Sequence, residues 1–215
     1  MRRTVAALAC LAALTGCTSS GSSSPPRSEL EQAGLQLSDF PPSWRRFPAP
    51  AIDVLQRLAD CTGADLSRAG DTKDVVGSGV YRNGDRRIWS VTTGYESQTD
   101  VSARTAALSL PHANSCVGRV LRPSVAAAVP GAQPVATHYT AQAGAINTAA
   151  SVVGSATGVT TVEADGRREK VHVDVTFVAG ALYASTIVFV GVGQPVPERI
   201  QNALVGDVAL RAMGR

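Results

Sequence analysis

The chain has 215 residues, 44% of them hydrophobic and 17% charged, with a formal charge of +3 at pH 7. That length suits one domain with a proper core. No run of Lys or Arg exceeds two residues and aromatics are only 5%, so the sequence displays neither the phosphate-neutralising stripe nor the stacking platform of a nucleic-acid binder.

At the N-terminus, Arg2 and Arg3 precede an apolar stretch from Val5 to Leu14, which reads as an export signal. The stretch is about half the roughly 20 residues a transmembrane helix needs, so no permanent span is expected. Leu14-Thr15-Gly16-Cys17 then gives way to the polar run Thr18 to Ser24, and this junction resembles the lipobox of bacterial lipoproteins. The resemblance implies a diacylglyceryl group on the thiol of Cys17, cleavage just before it, and acylation of the new amino terminus. Each buried methylene contributes about 0.8 kcal/mol, and several chains together make a lasting membrane anchor. The expected organisation is a signal peptide over 1–16, a lipid-anchored flexible tether over 17–36 and an α+β extracytoplasmic domain over 37–215. Residues 1–16 carry no acid, so losing Arg2 and Arg3 takes the formal charge from +3 to +1.

Of the four cysteines, Cys10 leaves with the signal and Cys17 takes the lipid. Cys61 and Cys116 remain as an even pair in an exported protein, which predicts a disulfide. Closing such a loop stabilises by about 4 kcal/mol in the chain-entropy model.

From Leu37 to Pro50, Phe40, Trp44 and Phe47 alternate with prolines, which predicts an extended strap laying its aromatics on the domain. Ile52, Leu55 and Leu58 recur at helical spacing over Ala51 to Asp60, with Gly63 as a stop. Val75 to Arg82 and Arg87 to Ser97 read as strands joined at Asn83-Gly84-Asp85, and Asn-Gly suits a type I' hairpin turn. Thr99 and Asp100 can cap a helix over Val101 to Leu110, and a second helical piece holds Cys116, Val120 and Leu121. Pro123 to Gln133 is rich in Ala, Pro and Gly and reads as loose, followed by a strand from Val135 to Gln142. Val159 to Ala164, Lys170 to Val178 and Leu182 to Val190 predict a meander, with turns at Asp165-Gly166 and Ala179-Gly180. Its middle strand alternates, with Val171, Val173, Val175 and Phe177 on a buried side and His172, Asp174 and Thr176 on a wet one. Ile200, Leu204 and Val208 mark a closing helix from Pro197 to Met213. The strand-strand-helix order recurs in 75–121 and 170–213, which favours a single α+β domain: a twisted antiparallel sheet with helices packed against it.

In pattern, residues 50–213 resemble a group of actinobacterial lipoproteins whose exported domain is similar to the extracellular sensor domain of the mycobacterial receptor kinase PknH. The residues carrying the likeness are Cys17, the helix ending Cys61-Thr62-Gly63, the Val101 to Leu110 helix with Ser115-Cys116, and the Asp174 to Val190 hairpin with its terminal helix. The resemblance implies a domain that binds a ligand or partner in a cleft beside the sheet, without catalysis. This chain has one candidate disulfide where the kinase domain has two, and no kinase is attached.

His172 and Asp174, with His138 from another strand, are the one set that could make a two-histidine, one-carboxylate metal site, although strand alternation explains them without a metal. No Gly-x-Ser-x-Gly, GxxxxGK[ST], HExxH or dinucleotide fingerprint is present, so no catalytic residue, cofactor or metal is expected. Trp44, Trp89, Tyr95, Tyr139 and Tyr183 could line a pocket or belong to the core. The expected role is a non-catalytic, sensor-like ligand- or partner-binding lipoprotein on the extracytoplasmic face of the cell membrane. Its small-molecule or protein ligand is unknown. One alternative is a carrier of lipid or other apolar ligands, which needs a cavity of several hundred Å³. Another is a cell-envelope hydrolase, which needs a histidine within hydrogen-bonding reach of a nucleophile.

Overall fold

The computed structural model describes residues 24–48, 53–67, 69–128, 133–143, 152–164 and 166–213. Residues 1–16, Cys17, Ile52 and Asp165 of the sequence reading lie outside them. The elements are α1 (Arg27–Ala33), β1 (Arg45–Phe47), α2 (Val54–Thr62), β2 (Asp74–Gly77), β3 (Val80–Asn83), β4 (Arg86–Gly94), α3 (Gln98–Thr105), α4 (Ala113–Ala128), β5 (Gln133–Ala143), β6 (Val152–Ala164), β7 (Arg167–Ala179), β8 (Tyr183–Val192) and α5 (Glu198–Ala212). The eight strands form one antiparallel sheet in the order β1-β3-β4-β8-β7-β6-β5, with β2 also paired to β4. This is the single α+β domain that the alternation of strand and helix patterns predicts.

Helices cover both faces of the sheet. On the first face Leu55 and Leu58 of α2, Leu108, and Val117 and Leu121 of α4 pack on Val171, Val173, Val175, Val188 and Val190. On the second face Leu204 and Val208 of α5 join Phe40 and Trp44 on Ile88, Ile187 and Phe189. β8 is therefore buried from Tyr183 to Gly191 without alternation, as a strand sandwiched between two layers must be. β7 keeps the alternation expected of it, although its second side is half-buried under α5 rather than fully wet. The two strand-strand-helix stretches end on opposite faces, α4 on the first and α5 on the second, so their likeness is one of order only.

Several sequence expectations change. The stretch from Arg27 onward, assigned to the tether, is folded: α1 buries Leu30 and Ala33, and Arg27 donates to Asp74 on β2 at 3.0 Å. The expected single strand over Val75 to Arg82 is split. Between Gly77↔Val91 and Tyr81↔Ile88 this arm has one residue more than β4, a bulge in which Ser78 bonds both backbone groups of Ser90. Gly79, at φ 83°, absorbs it.

α3 is capped by Ser97 in a capping box with Asp100, two residues before the expected cap. α4 continues through Pro123 to Ala128, where loose chain was expected; the alanines after Pro123 favour helix enough to outweigh one missing hydrogen bond. β6 begins at Val152 rather than Val159. Its early residues Gly154, Ser155, Ala156 and Gly158 have poor strand propensity, but pairing with β5 and β7 on both sides extends it.

The strap is present. Phe40 stacks on Tyr81 with centroids 4.1 Å apart and meets Trp44 at 5.1 Å. Phe47 instead stays 40% exposed on the edge strand β1.

Candidate functional site

Cys61 on α2 and Cys116 on α4 form the expected disulfide, with Cα atoms 5.6 Å apart. It clamps the two helices that cover the first face. Asp53 caps α2 by accepting from the Gln56 N–H at 3.0 Å. Burial pushes the Asp53 carboxyl above its ordinary range, against the opposing pull of the Gln56 N–H, Arg104 and neighbouring hydroxyls.

Arg104 is buried and knits this region together. It donates to Gln56 Oε1 at 2.8 Å, the Gly70 carbonyl at 2.8 Å and the Asp100 carbonyl at 3.3 Å, and its guanidinium lies 4.8 Å from the Tyr95 ring centre. Burial and the nearby Asp53 push the Tyr95 hydroxyl far above the ordinary phenol range. Every guanidinium nitrogen of Arg104 is thus occupied, which makes this cluster a joint between α2, α3 and the 63–73 connection rather than a receptor.

The candidate metal residues are not brought together. His138 pairs with Val159 and Val159 with His172, so the two imidazoles share a row with a strand between them, about 10 Å apart by strand spacing. Asp174 is engaged by the Thr157 hydroxyl at 2.5 Å and by Gln201 at 3.1 Å. Among the described residues no three His, Cys, Asp or Glu side chains are grouped to hold an ion. His112 stands just before α4, on the other face of the sheet.

The candidate pocket aromatics do not converge either. Trp44 packs on the second face, Tyr183 beside α1, and Tyr95 and Tyr139 in the first-face core. The described space between α2, α4 and the sheet, lined by Leu58, Val120 and Phe177 among others, amounts to about 10 Å³. Apolar ligand sites have several hundred.

What sequence reasoning missed is a row of arginines. Arg45 pairs with Arg82, Arg82 with Arg87, and Arg87 with Val190, so three guanidinium side chains on adjacent strands project from the same face. At strand spacing their Cα atoms span only about 10 Å. Like charges directly opposite one another destabilise a sheet, and among the described residues none of the three makes an ion pair. Arg45 and Arg82 are exposed, whereas Arg87 is half-buried.

The Nε and Nη1 of Arg87 are both buried and find no hydrogen-bond partner among the described residues. Burial and the charge of Arg82 lower the pKa of Arg87, opposed by Asp85. Two residues along the same strand faces stand Phe47, whose ring lies 4.9 Å from the Arg82 guanidinium, and the half-buried Trp89. An open groove of about 360 Å³ adjoins at Phe47, bounded by Arg46, Pro48, Gly77 and Gly79. No basic run betrays this cluster because its members come from three separate strands. No protein-family model matches the chain, and no curated protein matches it either.

Proposed function

We propose that this protein is a lipid-anchored extracytoplasmic lipoprotein acting as a non-catalytic, sensor-like binding module at the cell envelope, held to the membrane through Cys17. The observation that carries the reading is the Cys61–Cys116 disulfide, which joins two core helices and suits an oxidising, extracytoplasmic compartment. It agrees with the lipobox-like run Leu14 to Cys17 near the start of the sequence. The arginine row beside Trp89 and Phe47 sets two exposed guanidinia, Arg45 and Arg82, next to the half-buried Arg87, whose Nε and Nη1 lack partners among the described residues. Binding rather than carriage is favoured because the described space between α2, α4 and the sheet is only about 10 Å³.

The test is expression in a native-type host, with membrane fractionation and mass spectrometry of the extracted chain. Wild type is expected in the membrane fraction with acyl mass on Cys17, and Cys17→Ala in the soluble one. Equal membrane retention of Cys17→Ala would overturn the anchor. Free thiols at Cys61 and Cys116 in the extracted protein would overturn the compartment.

A further inference from the structure

We infer that the Arg45–Arg82–Arg87 row is a binding site for the phosphate group of a soluble phosphate ester whose remaining part lies against Trp89 and Phe47. The inference rests on the binding-module reading and names the ligand class of that surface. Three guanidinia directly opposed across neighbouring strands repel one another, and a sheet keeps such a row only where something offsets the repulsion. Asp85 offsets part of it at Arg87, but no carboxylate among the described residues forms an ion pair with the row.

The half-buried Arg87 is the sharpest sign. Two of its nitrogens are removed from water and without a hydrogen-bond partner among the described residues, a condition that native structures rarely leave unresolved. A dianionic phosphate offers several acceptor oxygens and matches a concentrated positive charge better than a carboxylate does. The span of about 10 Å fits one phosphate group and its substituent, not the path of a nucleic-acid backbone. Trp89 and Phe47, on the row next to the arginines, offer flat apolar surface to a ring in the ester part.

A phosphate could equally belong to a lipid headgroup, but the position of the row favours a soluble source. Ser24, seven residues after Cys17, packs at Gly94, at the opposite end of β4 from Arg87. Along the strand that separates the row from the tethered end by about 23 Å.

The test uses the mature protein in thermal-shift and calorimetric titrations with inorganic phosphate and glucose 6-phosphate, against glucose and potassium chloride of matched ionic strength. Phosphatidylcholine vesicles with and without phosphatidylglycerol form a separate arm. The phosphate compounds are expected to raise the Tm and the controls to leave it unchanged, with glucose 6-phosphate binding more tightly than inorganic phosphate. Arg87→Met and the exposed Arg82→Gln are each expected to weaken binding about tenfold or more. The unliganded Arg87→Met protein should melt at or above wild type, because it loses a repulsion; a purely structural arginine would lower the Tm instead. Absence of a phosphate-specific shift, binding indifferent to both substitutions, or binding to phosphatidylglycerol vesicles alone overturns the site. Each of those results leaves Cys17-dependent fractionation untouched, so failure here is distinguishable from failure of the anchored-module reading.

Discussion

The guanidinium of Arg211, near the end of α5, grips the carboxylate of Asp39 through two hydrogen bonds of 3.1 and 2.8 Å, 172 residues apart in sequence. The same side chain donates to the Gly34 carbonyl at 3.0 Å, and the Tyr183 hydroxyl donates to the Arg211 carbonyl at 3.2 Å. The closing helix thereby pins the segment that leads from α1 into the aromatic strap. The carboxylate is nearly buried, with 8% side-chain exposure, so the pair is shielded from the screening that weakens surface ion pairs.

Arg211→Ala leaves Asp39 without its partner and is expected to cost about 2–3 kcal/mol. Chemical denaturation measures the loss, and hydrogen exchange should quicken first over residues 30–44. An unchanged exchange pattern there would show that the strap is held by its aromatics alone.

The disulfide prediction follows from loop length. Cys61 and Cys116 are 55 residues apart, so replacing both by Ser should lower stability by up to about 4 kcal/mol. Reduction of the wild-type chain should reproduce that loss. Because α2 and α4 lie together over the first face, the reduced protein should expose that side to proteolysis before the α5 side.

Gly158 lies beneath the Tyr139 ring, where an added Cβ would overlap the ring carbons. Gly118 of α4 crowds the opposite side, with 2.9 Å from its own would-be Cβ to the ring. The ring cannot yield in either direction, so Gly158→Ala should cost about 3 kcal/mol, the upper end for overpacking. It should also break the 3.2 Å Tyr139–Thr160 hydroxyl contact. In a double-mutant cycle Tyr139→Ala should recover much of that cost, a coupling that simple strand propensity does not produce.

Asp53 and Asp100 should give opposite pH signatures. The Asp53 carboxyl is raised above its ordinary value, chiefly by burial, so the folded state holds its proton longer than the unfolded chain does. Its contribution is full below the unfolded carboxyl pKa and is lost as pH rises through the folded one. Asp53→Asn keeps the cap and should flatten that decline, leaving stability at pH 7 equal or higher.

For Asp100 burial also pushes upward, but it is outweighed by the Gly70 N–H, the Ser97 hydroxyl and N–H, and Arg104, so the net shift is downward. Stability from this group is present above the unfolded carboxyl pKa and lost as pH falls through the lowered one. Asp100→Asn should therefore cost about 1 kcal/mol at pH 7 and progressively less in acid. Urea midpoints measured from pH 3 to 8 check both signs.

Much of the fold was legible because it depends on local pattern. Alternating Val171, Val173, Val175 and Phe177 required a strand with a buried side, and the spacing of Ile200, Leu204 and Val208 required a helix. The strap was readable from its proline spacing, and Phe40 and Trp44 do bury, while Phe47 turns outward beside Arg82. The early half of β6 was not legible: its glycines and small residues carry no strand signal, and only partners on both sides make it one. The folded state of α1 was hidden for a similar reason, since seven residues with few apolar side chains become helix only by docking Leu30 and Ala33 against the sheet.

By itself the sequence determined the kind of most elements from α2 onward, the pairing of Cys61 with Cys116 and the lipobox-like motif at Cys17, because each is encoded in neighbouring residues or in a count. Tertiary structure decided the arginine row. A loop centred on Asn83-Gly84 would have set Arg82 opposite Asp85, a favourable pair; the observed loop is Gly84-Asp85, which closes on Asn83↔Arg86 and sets Arg82 opposite Arg87. That register goes with the bulge at Ser78-Gly79, which bonds Ser90 twelve residues on, and with the pairing of β4 to β8 along its whole length, which joins residues far apart in the chain. Long-range pairing overrode the local charge preference, and it gathered on one face three cations that the sequence keeps apart.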